Sequence, residues 1–426
     1  MSAQKTKKLH TNIADNTSVK KKQVRLLIII PNLGRGGAQQ VFRDQLNFFF
    51  NRYNTLGCVF NWDDTFEDDR STNIISLDIP AGKNWIGKIY FFLKRVYAMR
   101  QIKKNHKIDF SISHLEGADY VNLFSKRKEK VICWIHGTKR FDENIEGALG
   151  SIRKKILIPL TYRRSDCIVA VSEGIRQELI RDFGVPQAKV QTIYNGFNLQ
   201  EIASKALQKV NTSYEELFST KTVLITHCRL SRQKNLVALI DIFNLAVKHQ
   251  AGMKLMILGD GELKDDLLEY CKTLNFSVYS IWNPAFSFNH EYDIYFLGYE
   301  RNPYPFLHRA SLYLMTSSWE GFPLSLCEAM ACGVPVLSSD CYTGPREIIN
   351  PELKGSQPIH EPIVSPYGIL MPLADNKKNI QIWANEIIAT LNNPKLCKEL
   401  KLTGKERVQR LDKKEITLQW LSLLHD

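Results

Sequence analysis

The 426-residue sequence predicts an α/β protein made of two doubly wound, Rossmann-like domains that face each other across a cleft. Three observations predict it. Strand-length apolar runs alternate with helix-length amphipathic stretches from Val24 to about residue 200. The same alternation starts again at Thr222. The strands read as continuous apolar runs, as strands covered on both faces do.

The order of elements begins with Val24–Ile30, which stops at Pro31 and leads through Gly34-Arg35-Gly36-Gly37 into a helical pattern carrying Val41, Leu46 and Phe49. Leu56–Phe60 and Ile74–Leu77 read as short strands. Trp85–Lys104 reads as a helix with Ile89, Phe92, Leu93, Val96, Tyr97 and Ile102 on one side. Its other side carries Lys88, Lys94, Arg95, Arg100 and Lys103. Phe110–Ile112, Val131–Ile135 and Cys167–Val171 complete the first set of strands. From Leu199 to Thr220 polar residues dominate, which predicts a linker. Strands at Thr222–Thr226, Lys254–Leu258, Ile294–Leu297, Leu312–Met315 and Val334–Ser338 form the second set, with helices at Asn235–His249 and Asp260–Leu274 between them. Helical patterns at Ile380–Leu391, Pro394–Leu411 and Lys414–Leu424 close the chain. The domain reading is a disordered basic arm over 1–22, an N-terminal domain over 23–200 and a linker over 201–220. A C-terminal domain over 221–410 and a terminal helix over 411–426 packing back on the first domain complete it.

Composition narrows the class. Hydrophobic residues are 44% and charged residues 24% of the chain, which excludes a disordered or collagen-like protein. A net charge of +13 favours an anionic partner. Nine scattered cysteines without a CxxC pair suggest reduced thiols in a cytosolic protein. No apolar run approaches bilayer length and no signal peptide is expected, so the expected location is cytoplasmic.

The chemistry concentrates in Ser318–Val336, which reads strand, loop, helix, strand. Pro323 suits a first helical turn. The backbone N–H groups near Gly321, Phe322, Leu324 and Ser325, with the helix dipole, make an anion site. Glu320 sits in the loop before it, and Glu328 lies eight residues on, within the helix. Two carboxylates there can accept hydrogen bonds from ligand hydroxyls. Arg229 and Lys234 follow a strand end, where a guanidinium and an ammonium can grip a diphosphate. Gly259-Asp260-Gly261 supplies a tight turn at the next strand end.

Taken together, Glu320-x7-Glu328, Arg229/Lys234, Gly34–Ala38 and Tyr194-Asn195-Gly196 resemble the family 4 glycosyltransferases, retaining enzymes of the GT-B fold, from about Val24 to the C-terminus. Asp340–Glu347 looks like the form found in bacterial surface-polysaccharide transferases, those of lipopolysaccharide and capsule. The resemblance implies that Arg229 and Lys234 neutralise the diphosphate of a nucleotide-sugar, that Glu328 binds ribose hydroxyls and that Glu320 contacts the sugar. It implies that Gly36 and Gly37 let backbone approach the distal phosphate and that His136 bonds donor sugar or phosphate. Many members carry aspartate where this chain has Asn198, so that position gets no catalytic role.

The expected reaction moves a hexose or N-acetylhexosamine, from a UDP-sugar in preference, to a hydroxyl of a glycan, lipid-linked by expectation, with the anomeric configuration retained. No cofactor and no metal are expected, the nucleotide-sugar being the co-substrate. Asp63-Asp64, Asp68-Asp69 and Asp265-Asp266 are adjacent pairs, better read as loop or solvated helix charge. The basic residues of the first half, among them Lys94, Arg95, Arg100, Lys103, Lys126, Arg127, Arg153, Lys154, Lys155 and Arg163, read either as a solvated surface or as a peripheral contact with an anionic membrane. No nucleic-acid partner is expected, because no RNP, KH or helix-turn-helix context surrounds them. The alternatives are a GDP-mannose-dependent mannosyltransferase and a basic polyanion-binding protein without transferase activity. A dinucleotide oxidoreductase, with Asp63 as ribose acid, fits poorly because Gly34-x-Gly36-Gly37 is not G-x-G-x-x-G.

Overall fold

The computed structural model describes residues 22–34, 36–62, 73–141, 147–285, 287–353, 355 and 357–425. The expected basic arm lies outside them except for Lys22, as do Arg35 of the glycine loop, Asp63, Asp64, Asp68 and Asp69.

The first sheet has seven parallel strands: β1 (Lys22–Ile30), β2 (Tyr53–Val59), β3 (Ile74–Ser76), β4 (Phe110–His114), β5 (Lys130–Ile135), β6 (Cys167–Ala170) and β7 (Val190–Thr192). Their order is β3-β2-β1-β4-β5-β6-β7. The second sheet contains β8 (Thr222–His227), β9 (Met253–Leu258), β10 (Val278–Ser280), β11 (Ile294–Gly298), β12 (Leu312–Met315), β13 (Val336–Ser339), β14 (Ile363–Ser365) and β15 (Gly368–Met371), in the order β10-β11-β9-β8-β12-β13-β15-β14. Only β14 runs antiparallel. Leu26 to Ile30 of β1 and Met253 to Leu258 of β9 are buried along their whole length, as double cover requires. The central reversal of strand order lies at β1/β4 in the first sheet and at β8/β12 in the second, and the loops leaving those ends are where ligands bind in such sheets.

Several elements differ from the sequence reading. The linker over 201–220 is helical: Leu199–Ala206 and Thr212–Thr220 are helices started by Asn198 and Asn211, whose side chains accept from Glu201 N (3.3 Å) and Ser213 N (3.0 Å). Only Ile202, Ala206 and Leu217 among them are buried, too thin an apolar signal to show a period. Among the strands with no counterpart in the sequence reading are β10 and β14, both at the edges of the second sheet. Pro323 is the N-cap of the Leu324–Cys332 helix, one residue outside it.

The helix Trp85–Asn105 divides its apolar side. Met99 is buried and Phe92, Val96 and Ile102 pack partly against the sheet, whereas Ile89, Leu93 and Tyr97 face solvent. Lys103, assigned above to the solvent side, is buried, 2.8 Å from Glu129 Oε1 and bonded to Asn122 O and Oδ1.

The last helix, Lys413–Leu423, lies on the N-terminal domain. Trp420 meets Trp134 at 4.4 Å and Phe49 at 6.4 Å between ring centroids, and Lys413 pairs with Asp44 at 2.8 Å. Gly196 allows the crossing: a Cβ there would lie 3.0 Å from the Lys413 Cα.

Candidate functional site

Loops leaving β8 and β12 form one unit. The 3₁₀ turn Arg232–Lys234 ends at Asn235, whose left-handed backbone (φ 51°) turns the chain into the next helix. Gln233 donates to Trp319 O (2.7 Å), Ser318 N donates to Gln233 O (2.9 Å), and Thr316 Oγ1 donates to Lys234 O (3.1 Å). This brings Lys234 Nζ to 2.6 Å from Glu320 Oε1. Burial pulls the Lys234 ammonium down, and the Glu320 carboxylate more than offsets it, so its pKa is raised.

Two residues past Phe322 the helix Leu324–Cys332 begins. No side chain caps its N-terminus and no acid stands in its first turn. That leaves oriented N–H groups at the end of the loop whose Glu320 pairs with Lys234, and such a helix end attracts phosphate oxygens. Ser325 and Leu324 are half-buried at this end, and Phe322 is buried against Tyr194 at 5.2 Å. Further along, Glu328 receives the Tyr304 hydroxyl at 3.3 Å and lies 3.7 Å from His227 Nδ1. Burial pushes its carboxyl up to about 7, and burial pulls the His227 imidazole down to about 4.

The N-terminal domain meets this unit through backbone. A Cβ at Gly37 would lie 3.2 Å from Leu324 Cδ1, so the glycine loop approaches the anion site from the opposite side. A Cβ at Gly321 would lie 1.9 Å from the His136 carbonyl oxygen, so Gly321 and His136-Gly137 are in direct backbone apposition. At Gly36 a Cβ would meet only the mobile end of Gln39, and nothing in the structure demands glycine there. His136 Nε2 is 2.9 Å from His114 Nδ1, and His114 Nε2 is 2.9 Å from Gln45 Oε1. Burial keeps both imidazoles neutral, pulling His136 down to about 3.

The predicted residues therefore separate. Lys234, Glu320, Gly321, Leu324, Gly37 and His136 gather at one place, with Glu328 farther along the same helix. Arg229 stands apart: its side chain is exposed and its Nε is 4.0 Å from Glu262 Oε2. Of the basic surface, Arg153 as well as Lys103 turns inward, Arg153 pairing with Glu116.

Residues 35–201 match the family described as Glycosyltransferase Family 4, and residues 211–407 match Glycosyl transferases group 1. The chain belongs to the family 4 glycosyltransferases. An uncharacterized glycosyltransferase of Methanocaldococcus jannaschii is 28% identical over 78% of this chain and 83% of its own. The N-acetylgalactosamine-N,N'-diacetylbacillosaminyl-diphospho-undecaprenol 4-alpha-N-acetylgalactosaminyltransferase of Campylobacter jejuni is 26% identical over 94% of this chain and 99% of its own. Among solved structures, Anabaena HepE in complex with UDP superposes with a TM-score of 0.71 at 17% identity, covering 94% of this chain and 100% of that one. The fold of this glycosyltransferase is GT-B.

Three polar residues linked to the predicted site residues escaped the sequence reading: His114, Gln45 and His227. A signal was present for two of them. His114 and His227 each end an apolar strand, the position at which His136 was recognised after β5.

Proposed function

We propose that this glycosyltransferase moves a hexose or N-acetylhexosamine from a UDP-sugar to a hydroxyl of a lipid-linked glycan in surface-polysaccharide biosynthesis, with retention and without a divalent metal. The observation that carries the reading is the Lys234–Glu320 pair, 2.6 Å apart, with Glu320 on the loop that leads into the uncapped helix end at Leu324 and Gly37 packed against Leu324.

In this reading the helix N-terminus and Lys234 hold the diphosphate, with Arg229 swinging in from its exposed position. Glu328 accepts from the ribose and Glu320 from the sugar. The acceptor oxygen forms its bond to C1 on the face from which the diphosphate leaves. The C1–oxygen bond to the β-phosphate breaks, and that phosphate takes the acceptor proton, giving UDP. Fixed cation and dipole counter the charge that grows on the leaving group. His136 bonds the donor, its ring oriented through His114 and Gln45.

Support for the acceptor and donor comes from relatives. The Campylobacter jejuni relative acts, by its name, on a diphospho-undecaprenol-linked sugar. A lipopolysaccharide 1,6-galactosyltransferase of Escherichia coli is 27% identical over 45% of this chain. Peripheral docking on an anionic membrane is supported by Trp85, Ile86, Tyr90 and Leu93, exposed on one helix among Lys88 and Lys94. No helix of the described residues is long and apolar enough to cross a bilayer.

The test is transfer from a panel of UDP-sugars to a lipid-diphosphate glycan in EDTA, with the product's anomeric proton read by NMR. An α-linked product from an α-donor is expected. An inverted product, or activity that vanishes in EDTA and returns with Mg²⁺, contradicts the reading.

A further inference from the structure

We infer that a cavity of the N-terminal domain binds the diphosphate and the first part of the apolar chain of a lipid-linked acceptor. The inference rests on the reading of this enzyme as a transferase to lipid-linked glycans.

The connection between β5 and β6 contains a π-helical turn, Arg153–Leu157, between the helices Gly147–Ile152 and Ile158–Tyr162. Such turns are rare and concentrate at functional sites. Here Arg153 turns inward and pairs with Glu116, which pins the turn to the helix Glu116–Phe124. Beside it opens a cavity of about 640 Å³ with two kinds of wall. Arg140, Lys154, Lys155 and Arg163 form one, facing a single carboxylate, Asp182; Ile156, Pro159, Leu160 and Phe183 form the other.

The cations are positioned but not used up. Arg140 Nε donates to Asp182 Oδ2 (2.7 Å), Lys154 Nζ to Arg140 O (2.5 Å) and Arg163 Nε to Gly184 O (3.1 Å). Each bond consumes one of five guanidinium or three ammonium donors. Arg140 is paired with Asp182, through Nη2 (2.6 Å) as well as Nε, and Lys154, Lys155 and Arg163 leave the wall with an excess of positive charge that favours an anion. Ile156 and Leu160, spaced four residues apart, are more than half exposed, as is Ile152 one step before them. An apolar stripe of this kind marks a contact.

One ligand chemistry satisfies both walls: a diphosphate ester carrying an aliphatic chain. A free phosphate leaves Ile156 and Leu160 in water, and an apolar partner leaves the cations uncompensated. A second copy of this chain would bring like charge to like charge.

The cavity is placed for such an acceptor. The Arg140 guanidinium lies over the Tyr342 ring at 4.9 Å, and the Tyr342 carbonyl accepts from Glu320 N at 2.8 Å. The Arg140 wall of the cavity thus touches the second-domain loop whose backbone is bonded to that of Glu320. The stripe shares a sheet face with the exposed Trp85–Asn105 helix, since both pack against Glu116–Phe124, through Arg153 and through Phe92 on Phe124 at 5.7 Å.

The test is calorimetry on the full chain with saturating UDP to fill the donor site. Farnesyl diphosphate below its micelle concentration, inorganic diphosphate and farnesol are the probes. Farnesyl diphosphate is expected to bind, with inorganic diphosphate about tenfold weaker or more and farnesol not binding. A Lys155→Ala/Arg163→Ala variant loses about tenfold or more in farnesyl diphosphate affinity while its UDP affinity stays that of the wild type. Equal binding of inorganic and farnesyl diphosphate would make this a free-phosphate site and overturn the lipid assignment. Undiminished affinity in the variant, or no binding at all, overturns the site. Failure of the wild type to bind UDP defeats the donor reading instead, and farnesyl diphosphate titrated without UDP still scores the cavity.

Discussion

Lys234 and Glu320 neutralise each other across 2.6 Å in a place where neither reaches much water. A diphosphate arriving at the Leu324 helix end would compete with Glu320 for the ammonium and free the carboxylate for sugar hydroxyls. Lys234→Ala strands a buried carboxylate, so the expected cost is about 3–5 kcal/mol in unfolding free energy as well as loss of nucleotide affinity. Denaturant unfolding checks the first and calorimetry the second. Lys234→Arg is expected to recover more stability than affinity, because a planar fork does not fit a point-charge position.

Glu328 makes a pH prediction. Burial raises its carboxyl from 4.5 to about 7, so the folded protein keeps a proton there that the unfolded chain releases. Stability falls as pH rises from about 4.5 through about 7. Ionised Glu328 accepts better from ribose hydroxyls, so donor KM is expected to fall between pH 6 and 8. Glu328→Gln flattens that profile and raises Tm at pH 8. A steep profile that survives the substitution would place the titration elsewhere. His114→Ala is expected to lower kcat on the order of 100-fold through a misplaced His136, with UDP affinity kept.

At the scale of elements, apposition of backbones is the working part of the cleft. Gly321→Ala puts a methyl 1.9 Å from the His136 carbonyl, so the domains cannot meet as they do here. Its expected effect is a kcat loss on the order of 100-fold with UDP affinity near wild type, read by steady-state kinetics beside calorimetry. The strand-to-loop units carrying Lys234, Glu320 and His136 were legible in the sequence because each follows a strand with a largely apolar centre. The helices at Leu199–Ala206 and Thr212–Thr220 were not, since they bury three side chains between them and rely on asparagine caps. Short edge strands such as β7, β10 and β14, three residues each, have no room to show a period. The divided face of Trp85–Asn105 was misread for another reason. Periodicity reports that a helix has an apolar side, and it cannot report whether protein, solvent or another surface covers that side.

For the whole molecule, two sheets with their reversal points turned toward each other make one cleft, and the last helix ties them through Trp420, Trp134 and Phe49. Trp420→Ala is expected to cost about 3–5 kcal/mol, checked by denaturant unfolding. The exposed apolar and basic face of the N-terminal domain is expected to bind vesicles of anionic lipid and to lose that binding in Trp85→Ser/Leu93→Ser. Sedimentation that does not depend on anionic lipid would remove membrane docking from the account.

The most direct measurement is calorimetric titration of the full chain with UDP in EDTA, repeated on Lys234→Ala. The account predicts saturable one-site binding without metal, lost in the variant. Undiminished binding in the variant, or none in the wild type, would contradict a donor site built on Lys234, Glu320 and the Leu324 helix end.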